Sequence, residues 1–153
     1  MKLSLRGEYA LRALVVLGTN HNNESVVRIQ TIAQEQNIPK RFLEQILNDL
    51  RSAGVVESRR GVAGGYRLAR SPDQITLAEV VRLIEGALAP VNCVSERFYE
   101  KCTCPDEATC GIRSVMKEVR DGIVAILEKV TVAELCQRVV RLKKSPGRID
   151  FII

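Results

Sequence analysis

Four cysteines crowd one short stretch of this chain, spaced Cys93-x8-Cys102-x-Cys104-x5-Cys110, and no other side chains in it are better equipped for chemistry. Thiolates are soft donors, so three or four in an irregular loop suit zinc or an iron–sulfur cluster. Without a metal they are reactive or inert thiols. The cations Arg97, Lys101 and Arg113 stand close in sequence and favour the thiolate form. Zinc knuckles usually read Cys-x2-Cys, and no such pair occurs, so spacing alone leaves zinc, a cluster and metal-free thiols open. Cys136 falls on an apolar helix face and reads as packing. His21, the one histidine, sits in a polar stretch far from the cysteines and reads as a surface residue. A thiol enzyme is disfavoured, because no histidine accompanies the cysteines and no strand–helix alternation surrounds them.

The rest of the composition sets the frame. A chain of 153 residues, 46% of them hydrophobic, can bury a core. Its net charge of +5 suits a polyanionic partner. No apolar run reaches the ~18 residues of a membrane span, and the start Met1-Lys2-Leu3-Ser4-Leu5-Arg6 lacks the apolar stretch of a signal peptide. The expected location is the cytoplasm, where thiols are held free, metal-bound or redox-active rather than locked in structural disulfides.

Hydrophobic periodicity lays out the elements that carry these residues. Ala10, Ala13, Leu14 and Leu17 share one face of a helix from Arg6 to Thr19. A polar loop, residues 20–25, leads to a short helix with Ile29, Ile32 and Ala33 as its stripe, ending near Asn37. A third helix, Pro39 to Ala53, is expected to bury Phe42, Leu43, Ile46, Leu47 and Leu50, with Gly54 stopping it. Val55 to Ser58 and Tyr66 to Leu68 flank a glycine-rich turn and predict a β-hairpin. Thr76-x-x-Glu79 is a capping box opening a fourth helix with Leu77, Val80, Val81 and Ile84 inward. After an irregular loop to Cys110, the residues Ile112, Met116, Val119, Ile123, Ile126 and Val130 step by four and three, the seam of a helix that pairs with a partner helix. A second capping box, Thr131-x-x-Glu134, begins a last helix facing Leu135, Cys136, Val139 and Val140 inward. The apolar tail Ile149-Asp150-Phe151-Ile152-Ile153 is expected to dock or extend rather than fray.

Fold class follows: mostly α with a small β-hairpin wing. The expected parts are a winged helix-turn-helix domain at 1–87, a cysteine loop at 88–110, and a dimerisation helix with C-terminal helix at 111–153. Such a domain reads DNA with its third helix, whose Lys40, Arg41, Glu44 and Gln45 supply the forked donors and acceptors that base edges require. Arg59, Arg60, Arg67 and Arg70 surround the wing glycines and place positive charge where phosphate or a minor groove would lie. Gly64 and Tyr66 belong to the same wing surface. The turn is no phosphate-binding loop, since no Gly-Lys-Ser/Thr follows.

Three motifs in order carry a resemblance: Met1-Lys2-Leu3-Ser4 with Gly7-Glu8-Tyr9-Ala10, Phe42-Leu43-Glu44-Gln45-Ile46-Leu47 with Leu50-Arg51, and Arg60-Gly61-Val62-Ala63-Gly64-Gly65-Tyr66. Together they resemble the Rrf2 family of bacterial transcription regulators along essentially the whole chain. The resemblance implies a homodimer with swapped long helices on palindromic double-stranded DNA. It makes Arg41, Glu44 and Gln45 base readers and Arg60 a wing contact. Cluster-binding members place three cysteines in this loop, which implies Cys93, Cys104 and Cys110 as ligands of a [2Fe-2S] or [4Fe-4S] cluster. The first gap is longer than the family's, so Cys102 competes with Cys104 for the middle place. The family's histidine three residues beyond the last cysteine is Arg113 here, which leaves Cys102 or a partner subunit's acid at the position of Glu8 as the fourth ligand. The alternative is a member that senses through zinc, thiol oxidation or a partner enzyme, as cysteine-metabolism regulators of the family do.

Overall fold

Hydroxyl caps fix where three of the helices begin. Ser4, Thr76 and Thr131 each accept a hydrogen bond from the amide three residues on, at 3.1, 3.2 and 3.3 Å. Each bond satisfies an amide that the first turn leaves free. Both capping boxes of the sequence therefore start helices as expected. In this computed structural model, which describes residues 3–23 and 25–145, the order is α1 (Leu5–Thr19), α2 (Ile29–Gln36), α3 (Lys40–Ser52), β1 (Val56–Arg59), β2 (Gly65–Leu68), α4 (Leu77–Glu85), α5 (Gly111–Lys129) and α6 (Val132–Lys144). Short 3-10 turns occupy His21–Asn23, Pro72–Gln74 and Asn92–Val94. The apolar tail falls outside the described residues.

One core gathers the faces that periodicity selects. Leu14 and Leu17 of α1, Ile32 of α2, Leu43, Ile46, Leu47 and Leu50 of α3 and Val80 of α4 are all but completely buried in it. Val132 of α6 is also fully buried there, so the C-terminal helix completes the core of the winged domain. The joint is made by backbone: Leu77 N–H donates to the Val130 carbonyl and Val132 N–H to that of Ile75, both at 2.9 Å. A smaller cluster of Ala78, Val81 and Leu88 receives Val124 and Leu127 of α5.

Three apolar residues depart from expectation. Phe42 is 54% exposed. It lies about 100° round the helix from Leu43, off the stripe that α3 buries. Val140 is exposed and borders an open hollow with Thr19 and Cys136. Val130, expected on the partner-facing seam, is buried in its own chain, because it is the residue at which α5 ends and the chain turns into α6.

The hairpin pairs Val56 with Leu68 through Arg59 with Gly65, and it gains one further rung from outside. Val27 and Tyr66 exchange both backbone hydrogen bonds, at 2.8 and 2.9 Å. This clamps the wing to the segment before α2. Gly61 turns the tip with a φ of 107°, a conformation that L side chains avoid. At Gly65 the constraint is space: a Cβ would stand 2.5 Å from the Val27 carbonyl oxygen. Gly65→Ala should therefore separate the wing from Val27 and lower stability by ~1–3 kcal/mol in urea unfolding. Unchanged stability would mean the rung is not fixed.

Candidate DNA interface and cysteine loop

With Leu43, Ile46, Leu47 and Leu50 inward, α3 turns Arg41, Glu44 and Gln45 to solvent in its N-terminal half and Asn48 beyond them. Lys40 and Glu44 form an exposed ion pair at 3.8 Å. Such pairs contribute little to stability, so both heads are cheaply redirected to a ligand. Arg6 pairs with Asp49, tying the start of α1 to the flank of α3. Arg51 donates to the Ser58 hydroxyl at 3.3 Å, linking α3 to the wing.

The wing arginines divide into two kinds. Arg67 is paired with Glu57 and Arg70 with Glu79, so both are committed within the fold. Arg59 and Arg60 are exposed, and among the described residues neither enters an ion pair. Gly64 and Tyr66 are half-buried: Gly64 donates to the Gly61 carbonyl at 2.9 Å, and Tyr66 packs on the core. Val62 at the tip is 97% exposed. Sequence reasoning missed Arg28, whose guanidinium donates to the Val62 carbonyl at 3.2 Å and braces the tip. Its signal was faint, since the rung at Val27 comes from a single residue outside any strand.

The loop cysteines are in two states. Cys102 and Cys104 are joined by a disulfide, and Cys93 and Cys110 are free. Cys93, Cys110 and Cys136 are thus free thiols, as one of the expected states, while the Cys-x-Cys pair is bonded, its adjacency in sequence bringing the two sulfurs together. Cys93 is buried in the turn at Asn92–Val94. Cys110 caps α5, its Sγ accepting from the Arg113 amide at 3.4 Å. Cys136 packs on α1, and burial pushes its thiol pKa up. Glu8 lies exposed in the first turn of α1, and no side-chain hydrogen bond or ion pair among the described residues ties it to the loop. His21 lines an open hollow with Glu57 and Arg67, remote from the thiols in the chain.

The loop has its own frame. Tyr99 donates to Glu107 at 2.7 Å, and the other Glu107 oxygen accepts from the Cys102 amide at 3.3 Å. The tyrosine hydrogen bond, foremost, holds the Glu107 carboxyl below the usual range. Asp106 accepts from Ala108 N–H and the Thr109 hydroxyl, which lower its pKa likewise.

Two arginines of α5, seven residues apart and so on one face, grip the start of the loop. Arg113 Nε donates to the Cys93 carbonyl at 3.2 Å, and Arg120 Nη1 to the Val94 carbonyl at 2.6 Å. The Arg120 side chain is only 11% exposed and is neutralised by Asp121 and Glu96. The adjoining face of α5, about 100° round the helix, presents Ile112, Val119 and Ile126 to solvent, at 73, 42 and 64% exposure. A single helix thus holds the cysteine loop on one face and exposes an apolar stripe on the adjoining one. Neither arginine's part was legible beforehand: Arg113 drew notice as a cation beside the thiols and as a residue unable to serve as a ligand, not as a partner of the Cys93 carbonyl. Arg120→Ala should speed alkylation of buried Cys93 about tenfold, the consequence of losing ~1.4 kcal/mol of local closing free energy. Cys136 serves as an internal reference, and equal Cys93 rates in both proteins would show that the grip does not hold the turn.

Comparison with known proteins agrees with this geometry. Residues 3–138 match the Rrf2 family, described as iron-dependent transcriptional regulators. An Rrf2-like HTH-type regulator of Rhodobacter capsulatus is 42% identical over 131 residues, 84% of this chain and 87% of that protein. The structure of CymR, the global cysteine regulator of B. subtilis, superposes with a TM-score of 0.76 at 32% identity, over 90% of this chain and 98% of that one. IscR of T. potens superposes with a TM-score of 0.71 at 29% identity, over 91 and 88%. Six helices with one antiparallel hairpin are the winged-helix arrangement of these regulators, and the chain belongs to the Rrf2 family of DNA-binding transcriptional regulators.

Proposed function

We propose that this regulator works as a homodimer whose cysteine loop reports thiol or metal status to the DNA-reading domains through α5. The observation that carries this reading is that α5 serves two neighbours: Arg113 and Arg120 hold the loop on one face while Ile112, Val119 and Ile126 stand exposed on the adjoining one. A second copy of the chain supplies the matching stripe, as helix seams of this spacing require. Two winged domains related by a two-fold axis suit a palindromic duplex. In each, Arg41, Glu44 and Gln45 read base edges, Lys40 and Arg59 lie on phosphate, and Arg60 with the tip residue Val62 enters the minor groove. Gly64 and Tyr66 shape the wing rather than contact bases. Regulation without catalysis, in the cytoplasm, is the matching cellular role. Among the described residues no helix is long and apolar enough to cross a membrane.

The iron–sulfur cluster that the resemblance implies needs three or four thiolates. In this thiol state the loop offers Cys93 and Cys110, and among the described residues no group of three potential ligands is assembled. The residues therefore do not fit a cluster, or structural zinc, while Cys102 and Cys104 are bonded. The disulfide favours the second reading, a sensor of thiol oxidation.

Dimerisation and DNA reading are separable by experiment. Val119→Asp should convert the dimer to monomer in sedimentation and weaken operator binding by more than about tenfold, since burying an unpaired carboxylate in the seam is strongly unfavourable. A dimer that survives the change would place the interface elsewhere. Arg60→Ala should lower affinity for all duplexes and reduce the salt slope by about one, whereas Glu44→Ala should relax preference at one base pair. Wild-type binding by both variants would show that another surface meets DNA.

A further inference from the structure

The misfit between the bonded loop and a thiolate-held metal centre has a simple resolution in the chain itself. We propose that Cys102 and Cys104 form a reversible thiol–disulfide couple that gates metal loading of the loop, a regulation that rests on the loop being the sensor. With the couple oxidised, the loop has two thiols, Cys93 and Cys110, below the three or four that soft-metal centres take. Reduction adds two donors at once.

The surroundings suit such a couple. Cys102 and Cys104 are half-buried and alternate with exposed Lys101, Thr103 and Pro105, so a small reagent reaches them. The loop does not depend on their bond for its frame. Tyr99 and the Cys102 amide hold Glu107, while Asp106 holds Ala108 and Thr109, and none of these uses a cysteine sulfur. Glu107 Oε1 also stands 3.6 Å from Cys102 Sγ, an acceptor that a disulfide sulfur cannot use and a thiol can. The remaining two cysteines both meet Arg113, one through the Cys93 carbonyl and one through Cys110 Sγ, and neither contact involves the couple.

The exchange balances with a low-molecular-weight disulfide as the oxidant. One cysteine thiolate attacks RSSR, forming a mixed disulfide and releasing RS⁻. The second cysteine thiolate displaces the other RS⁻, closing the Cys102–Cys104 bond. Two protons and two electrons leave the cysteines and appear on two RSH. Reduction by excess RSH runs the same steps backwards.

Full-length protein treated with oxidised glutathione and protein reduced and freed of reductant are compared in two ways. Alkylation and mass analysis should count adducts on the three free cysteines Cys93, Cys110 and Cys136 after oxidation and on all five after reduction. Titration with cobalt(II) alone, read by thiolate-to-metal absorption, should show binding by the reduced protein and more than about 100-fold weaker binding by the oxidised one, a larger loss than outer-shell changes cause. Cys102→Ser, purified without reductant, should load cobalt, since Cys93, Cys104 and Cys110 stay available. Five adducts after oxidation would show that the couple does not form. Equal cobalt binding by both states would overturn the gate while leaving a metal site standing. No cobalt binding by the reduced protein would remove the loop as a metal site and the gate with it.

Discussion

Helix α5 spans 19 residues and fully buries none of them within its own chain, and most of what the molecule does depends on that constraint. A helix of that length stays formed mainly through the packing of an apolar face, because intrinsic propensity contributes little. Val124 and Leu127 give it one modest contact, against Ala78, Val81 and Leu88. The stripe through Val119 and Ile126 is left for another surface. The helix with the exposed stripe is therefore also the helix that carries the cysteine loop, and in the proposed function pairing and sensing share one element.

The coupling is built from backbone carbonyls rather than from the thiols themselves. Arg113 and Arg120 hold the carbonyls of Cys93 and Val94, so a change in the loop reaches α5 through charge-assisted hydrogen bonds of which one is nearly buried. From the far end of α5 the chain passes through Val130 directly into the pairing of Leu77 with Val130 and Val132 with Ile75, and so into the core that seats α3. In the proposed function a shift of α5 passes by this route to α3, the helix proposed to read bases. Two dimer geometries of different affinity for DNA are all that regulation requires.

Much of this was legible in the sequence because the signals are local. The capping boxes at Thr76 and Thr131, the stripes of α1, α3 and α4, and the glycine turn of the wing each follow from residues within a few positions of one another. Phe42 and Val140 escaped because periodicity assigns a sector and not the exact edge of what a neighbour covers. Long-range partnerships escaped for a deeper reason. Nothing near Arg28 names Val62, and nothing near Arg120 names Val94, since those contacts exist only once the chain has folded. The Cys102–Cys104 bond is the opposite case: two sulfurs one residue apart were read as competing for one ligand position, although their closeness also lets them bond each other.

The coupling between loop and DNA is tested most directly by the dissociation constant of the dimer for a duplex selected by the protein itself, measured by fluorescence anisotropy at one salt concentration with the loop reduced and then oxidised. Coupling through α5 gives constants that differ by about tenfold, ~1.4 kcal/mol, within the usual range for linked sites. Equal constants from a protein whose thiol count has demonstrably changed would contradict it.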